Sequence, residues 1–394
     1  MSPSEKRVKI AVVSVARSDY SGLRPVIRKI QGDSALQLML IVSGAHLLAE
    51  HGNTLSVITA DGFKPTECLA ISTGDNGSAE MAKVVAAGVQ EFSRTFLKHN
   101  PDIILLYGDR FEMFAAAVAG FLSRIPLAHI HGGELTFGAI DDSLRHAISK
   151  LSHLHFVSNA EAKGRLMRMG EEPTRIVLSG APALDEIKEL VGSDEEILRT
   201  LGLPSQEKPL LITFHPQTIC EQSDQAQISE LLDALEDRQE PMLFTRPNAD
   251  PGNEVLWKAI LDFTSRAPKR RVTTENLGPQ RYFSVMAGCS AMVGNTSSGI
   301  IESGSFQIPV VNIGDRQAGR TRGINVIDVA CTAEHISAGI DRALSPKFRN
   351  AISAMKNPYG DGSASQRIVD TLGSISLDGS LLEKRFFDGA RAQE

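Results

Sequence analysis

At 394 residues, with 42% hydrophobic and 22% charged side chains, the chain has ordinary globular composition and enough length for two domains. A net charge of −6 argues against general nucleic-acid binding, so an anionic ligand has to be held by locally placed arginines. No apolar run approaches the roughly 20 residues of a membrane-spanning helix, and Cys68, Cys220, Cys289 and Cys331 form no CxxC pair that would point to zinc or a disulfide framework.

The run Lys9–Ala16 is almost continuously apolar, as in a central parallel strand. It is too short and too β-like for a signal peptide, which makes the cytoplasm the expected location. The segment ARSDYSGL follows, with Arg17 at the strand end and Asp19 or Ser21 placed to cap a helix. Leu36–Ser43 reads as a second strand, leading into a loop that holds His46 and His51. Cys68–Ser72 is a candidate third strand, and Ala79–His99 a long helix. Within Pro101–Ser158, the runs Ile103–Tyr107, Pro126–Ile130 and Leu154–Val157 read as buried strands. Phe111–Leu122 and Asp141–Leu151 read as the helices between them. A helix at Ala160–Met169 and a strand at Arg175–Ser179 complete this half.

The Gly180-Ala181-Pro182 break places the domain junction at residue 183, giving domains 1–183 and 184–394. In the second half, strands are expected at Leu210–Phe214, Met242–Thr245, Arg271–Thr274, Ala291–Gly294, Val310–Ile313 and Val326–Val329. Helices are expected at Ser223–Glu236, Asn253–Ser265, Pro279–Gly288 and Ala333–Leu344. Strand–helix alternation in both halves means parallel sheets covered on both faces, hence two doubly wound α/β domains with a ligand cleft between them.

The polar residues of note fall where strands end, which is where ligands sit in such sheets. Asp109, Glu134, Asp141 and Asp142 form an acidic set suited to acid/base work, although Asp141 is also placed as a helix cap and Asp109 as a partner of Arg110. Arg17, Arg110, Arg246, Arg316 and Arg320 all follow strands, a pattern that favours a diphosphate ligand. Asn295–Glu302, NTSSGIIE, offers Ser297 and Ser298 to a phosphate and Glu302 to sugar hydroxyls. The chain has neither GxGxxG nor GxxxxGK[ST], which disfavours dinucleotide and P-loop chemistry. The pairs His129/His131 and His153/His155 invite a metal, but His129 and His155 lie inside apolar runs and read as packed. His131, nearer a strand end, is the better active-site candidate, and no metal is assigned.

Nine segments, taken together and in order, resemble the hydrolysing UDP-N-acetylglucosamine 2-epimerases. They are ARSDYS, GDRFE, HIHGGE, IDDSLRHAISKLSHLHF, TFHPQT, RPNAD, GNTSSGIIESG, IPVVNIGDRQAGR and YGDG, with the shared strand–helix frame from about Lys9 to Val369. The resemblance implies two Rossmann-like domains of the glycosyltransferase-B type, UDP held mainly by the second, and no cofactor. It places Arg17, Ser21, Arg110, His215, Asn248, Ser297, Ser298, Glu302 and Arg316 around the nucleotide and diphosphate. It places Asp109, Glu134, Asp141, His131 and Arg145 in the catalytic region. It implies a UDP-sugar substrate, elimination of UDP to a 2-acetamidoglucal, and hydration with inversion at C2. No nucleic-acid or membrane partner is expected, and a homodimer or homotetramer is.

The leading expectation is UDP-N-acetylglucosamine converted to N-acetylmannosamine and UDP, in synthesis of sialic-acid-like sugars. The same reaction on UDP-N,N'-diacetylbacillosamine or GDP-N-acetylglucosamine is the alternative. A glycosyltransferase or a non-catalytic sensor of the same fold are further alternatives. The intact Asp109, Glu134 and Asp141 set speaks against both.

Overall fold

The computed structural model describes residues 7–48, 54–71, 78–137, 140–192, 194–204, 206–216, 222–247, 252–275 and 277–389. Packing divides the chain into two compact units, Met1–Asp185 with Gly362–Glu394, and Glu186–Asp361.

The first unit runs β1 (Val8–Ser14), α1 (Arg17–Gly32), β2 (Leu36–Ser43), α2 (Leu55–Ala60), β3 (Glu67–Leu69), α3 (Ser78–His99), β4 (Ile103–Tyr107), α4 (Phe111–Leu122), β5 (Leu127–Ile130), α5 (Ile140–Leu151), β6 (Leu154–Val157), α6 (Ala160–Arg168) and β7 (Ile176–Leu178). Its sheet has the order β3-β2-β1-β4-β5-β6-β7, with every neighbouring pair parallel. Both faces are covered, which is why its strands read as unbroken apolar runs. Along β1, Ile10 and Val12 enter a core with Leu23 and Ile27 of α1, while Ala11 and Val13 enter one with Phe92 and Phe96 of α3. The chain starts in the middle of the sheet, so β1 and β4 flank the point where strand order reverses. The crevice outside their carboxyl ends is where such folds hold ligands.

The second unit runs α7 (Ile187–Leu190), α8 (Asp194–Thr200), β8 (Leu210–Thr213), α9 (Asp224–Leu235), β9 (Met242–Thr245), α10 (Asn253–Ser265), β10 (Arg271–Thr274), α11 (Gly278–Gly288), β11 (Ala291–Gly294), α12 (Ser298–Ile301), β12 (Val310–Ile313), β13 (Val326–Val329), α13 (Ala333–Leu344) and α14 (Pro346–Ile352). Its parallel sheet has the order β10-β9-β8-β11-β12-β13, reversing between β8 and β11. The two strands approach closely there. A Cβ on Gly294, whose φ is 140°, would stand 1.9 Å from the Thr213 carbonyl oxygen, so only glycine fits.

The units differ from the 1–183 and 184–394 division expected from sequence. A last helix, α15 (Ala364–Ser374), belongs to the first unit. Ile368, Val369 and Leu372 enter the core that holds Leu23 and Ile27, and the Asp185 carboxylate accepts from the N–H groups of Ala364 (2.9 Å) and Ser365 (2.5 Å) at the helix start. The tail beyond follows. Lys384 donates to the Lys150 carbonyl (2.8 Å) and reaches the buried Glu171 carboxylate (2.8 Å), while the Phe387 N–H donates to Gly170 (2.9 Å). The α2, α14 and α15 helices were not anticipated, and neither was the 3-10 turn Gly44–Leu47. Among the described residues, no helix is long and apolar enough to cross a membrane.

Candidate active site

The acidic residues of the first unit gather on the rim formed by the ends of β1, β4 and β5. They sort into three groups. Asp109 forms an ion pair with Arg145 of α5, itself buried, and Asp142 lies 3.9 Å from the same guanidinium. Arg110 is gripped through two bonds by Glu112, both 3.1 Å, so the partnership of Asp109 with Arg110 is not what forms. His131 Nδ1 lies 2.5 Å from a Glu134 oxygen, and the Ser158 hydroxyl donates to that same oxygen at 2.5 Å.

His131 adopts φ 66°, a region disfavoured for any residue with a Cβ. Such strain recurs at functional sites. The Tyr107 ring packs edge-on against its imidazole, with centroids 4.9 Å apart, and Arg165 bonds the Gly133 carbonyl beside it. His129 is fully buried, with Nε2 2.7 Å from the Gly108 carbonyl and Nδ1 3.0 Å from the Ser149 hydroxyl. It therefore braces the loop that carries Asp109. Burial pushes its imidazole down to about 3, so it is neutral. His155 pairs instead with Glu171 at 2.9 Å. Among the described residues, no group of three or more His, Cys, Asp or Glu is placed to hold a metal ion.

Neither Asp19 nor Ser21 caps α1. The cap position is Ala16, and the Ser21 hydroxyl donates to the Arg17 carbonyl at 2.9 Å. Arg17 and Ser21 are both exposed at the start of that helix. Asp19 instead turns inward, 4% exposed, accepting from the Val15 N–H (3.4 Å) and the Ser18 hydroxyl (3.2 Å). Burial raises its carboxyl to about 7, with Glu112 adding to the effect and Arg110 opposing it. Asp141 lies within the first turn of α5, and burial raises its carboxyl too, again against the pull of Arg110. One guanidinium thus stands among Glu112, Asp19 and Asp141. Burial alone would lower its pKa, and these carboxylates reverse that. Asp19 was read from sequence only as a cap, because nothing local marks a first-turn aspartate as buried.

In the second unit the named residues meet at the reversal between β8 and β11. His215 is buried after β8, and its N–H donates to the Asn295 side chain at 2.7 Å. Burial, helped by Arg316, pushes its imidazole down to about 4. Arg316 donates to the Asn295 carbonyl at 3.3 Å. The Ser297 side chain makes no capping bond to α12, which leaves that hydroxyl uncommitted to the helix. Burial raises the pKa of the Tyr282 hydroxyl, nearby Glu302 adds to the rise, and the Ser298 and Thr213 side chains beside it oppose the rise. Tyr282, Asn295 and Gln317 were not singled out from the sequence, although Asn295 and Gln317 lie inside motifs. Arg246 is engaged at the surface by Glu254 (3.0 Å) and Glu275 (3.3 Å), apart from this cluster. Asn248 lies outside the described residues.

The sequence profile described as UDP-N-acetylglucosamine 2-epimerase matches residues 28–373. A Legionella pneumophila protein named UDP-N,N'-diacetylbacillosamine 2-epimerase (hydrolyzing) is 36% identical over 378 residues, 95% of this chain and 98% of that relative. A Campylobacter jejuni protein named GDP/UDP-N,N'-diacetylbacillosamine 2-epimerase (hydrolyzing) is 37% identical over 383 residues, 96% of this chain and 99% of that relative. The solved structure of a Neisseria meningitidis UDP-GlcNAc 2-epimerase bound to UDP-GlcNAc superposes with a TM-score of 0.78 at 19% identity, covering 93% of this chain and 99% of that one, and so shares the fold.

Proposed function

The chain belongs to the UDP-N-acetylglucosamine 2-epimerase family, and from that premise we propose that it is a hydrolysing 2-epimerase whose substrate is UDP-N,N'-diacetylbacillosamine. The observation that carries the choice of sugar is the pair of relatives at 36% and 37% identity, each matched over nearly its whole length and each named for N,N'-diacetylbacillosamine, one linked to UDP and the other to GDP or UDP. The family description itself supports UDP-N-acetylglucosamine as the competing substrate.

The reaction has two halves. In the first, a base takes the proton from C2, the C1–O bond to the diphosphate breaks, and UDP leaves behind a 2-acetamidoglycal. In the second, water adds its oxygen to C1 and a proton returns to C2 from the opposite face, giving the free sugar epimerised at C2. The C2 hydrogen is not acidic, so cleavage develops positive charge at C1 and negative charge on the diphosphate. Groups already aimed at that developing charge lower the barrier most.

The residues of this chain suit the steps. Asp109, whose carboxylate faces Arg145, and the hydrogen-bonded Glu134–His131 pair are the groups suited to the two proton transfers. Asp141 and Arg110 complete the charge balance around them. Ser297, Ser298 and Arg316 are the groups of the second unit suited to the diphosphate, and Glu302 to the ribose hydroxyls. The neutral His215 stands beside Arg316 as a hydrogen-bonding group with no competing charge.

The test is turnover on a panel of UDP- and GDP-linked 2-acetamido sugars, following both nucleoside diphosphate and free sugar. The expected result is release of UDP with the C2-epimerised free sugar, at the highest kcat/KM for UDP-N,N'-diacetylbacillosamine. Preference for UDP-N-acetylglucosamine would move the sugar assignment to the competing substrate. Release only in the presence of an acceptor would make the protein a transferase and overturn the reading.

A further inference from the structure

Three loops of the second unit, after β8, β11 and β12, hold groups assigned above to the nucleotide. Each loop follows a different strand, and nothing in the parallel ladders fixes one loop against another. The side chain and backbone of one residue do so. Asn295 is fully buried. Its Oδ1 accepts from the His215 N–H at 2.7 Å, and its Nδ2 donates to the His215 carbonyl at 2.9 Å. Its own carbonyl accepts from Gln317 Nε2 at 2.9 Å and from Arg316 at 3.3 Å. Gln317 is itself 3% exposed.

We propose that Asn295 is a positioning residue that sets His215 and Arg316 at their working separation by clasping both backbone groups of His215 and receiving Arg316 and Gln317 on its own carbonyl. The proposal rests on the nucleotide-site reading given above. The chemistry of the clasp is specific. Only a side chain carrying one donor and one acceptor in a plane can meet an N–H and a carbonyl of the same residue. Aspartate supplies two acceptors, so it leaves the buried His215 carbonyl facing a carboxylate oxygen. Alanine leaves both backbone groups without that partner in a dry site, where an unmet polar group is costly. Glutamine is one methylene longer and has no room at a fully buried position. The clasp also explains the close packing of β8 against β11 at Gly294, because the backbones must approach for a side chain as short as asparagine to span them.

The experiment compares Asn295→Ala, Asn295→Asp and Gln317→Ala with wild type, measuring UDP affinity by calorimetry and folding by circular dichroism. Ser290→Ala is the control. Ser290 is another buried polar residue of this unit, 6% exposed and donating to the Pro209 carbonyl at 3.0 Å, and that bond lies just before β8 and β11, at the opposite end of those strands from the three loops. The expected result is a loss of UDP affinity of about ten-fold or more in both Asn295 variants, with affinity unchanged in Ser290→Ala at a comparable loss of thermal stability. Asn295→Asp should regain affinity relative to wild type as pH is lowered, because a protonated carboxyl can again donate to the His215 carbonyl. UDP binding within about two-fold of wild type in folded Asn295→Ala refutes the positioning role. If the Asn295 variants do not fold, Gln317→Ala decides, and undiminished UDP binding there has the same meaning. Failure of the wild type to bind UDP overturns the nucleotide-site reading, which is a separate outcome.

Discussion

Replacing Asp19 by asparagine should make the protein more stable, and increasingly so as pH rises. Asp19 is 4% exposed, and its carboxyl moves from an ordinary value of 3.8 to about 7 on folding. The sign follows from proton counting. Between these two values the folded chain binds more protons at this site than the unfolded chain, so stability falls as pH rises. The contribution is fully present below pH 3.8, is lost progressively up to about pH 7, and stays lost above it. A shift of about three units, at about 1.4 kcal/mol each, amounts to about 4 kcal/mol at full deprotonation. Asparagine keeps an oxygen for the Val15 N–H and escapes that ionisation. The difference between variant and wild type should therefore widen from roughly 1–2 kcal/mol near pH 5 to about 4 kcal/mol near pH 8. Chemical denaturation of both proteins across that range measures it. The one tryptophan, Trp257, lies in the second unit, so its fluorescence follows that unit while far-ultraviolet circular dichroism follows both. The effect should appear in the dichroism transition that tryptophan does not report. A difference that is flat with pH, or a wild type that is the more stable throughout, refutes the reasoning.

Asp109→Asn and Glu134→Gln should each lose turnover and still bind UDP, because neither belongs to the loops after β8, β11 and β12; near-normal turnover in both removes them from the proton-transfer role. Ser298→Ala and Arg316→Ala should weaken UDP binding by about 1.5–3 kcal/mol, the cost of a charge-assisted hydrogen bond, and unchanged calorimetric affinity would place the diphosphate elsewhere. Activity should survive exhaustive chelation, since the arginines can neutralise the diphosphate; inactivity restored by one divalent ion would show that a cation shares that task.

Much of the first unit was legible because its strands are buried on both faces. Runs such as Ile103–Tyr107 and Leu154–Val157 coincide with β4 and β6, and the helix Phe111–Leu122 with α4. Motif residues fell at strand ends for the same topological reason, which is why Asp109, His131 and Glu134 could be named together. Pairing was less legible. The sequence places Arg110 next to Asp109, but opposite side-chain directions send the one to Glu112 and the other to Arg145. Burial of Asp19 and the reach of Asn295 depend on backbones far apart in sequence, and no local pattern carries that. The return of α15 to the first unit is the same kind of fact. Its apolar spacing marks a helix face, and only the partner surface on α1 says which unit it completes.

That return has a consequence for synthesis. The first unit begins to emerge from the ribosome with the surface for Ile368, Val369 and Leu372 still uncovered. The whole of Glu186–Asp361 must be translated before the covering helix exists. At bacterial-to-eukaryotic elongation rates this interval is on the order of ten seconds or more, far longer than helix or hairpin formation. The middle unit, continuous in sequence, is free to fold during that interval, while the unit that starts first finishes last. Newborn chains should therefore present an apolar groove on α1 for chaperones during translation, and a stall anywhere before Ala364 should leave that groove open.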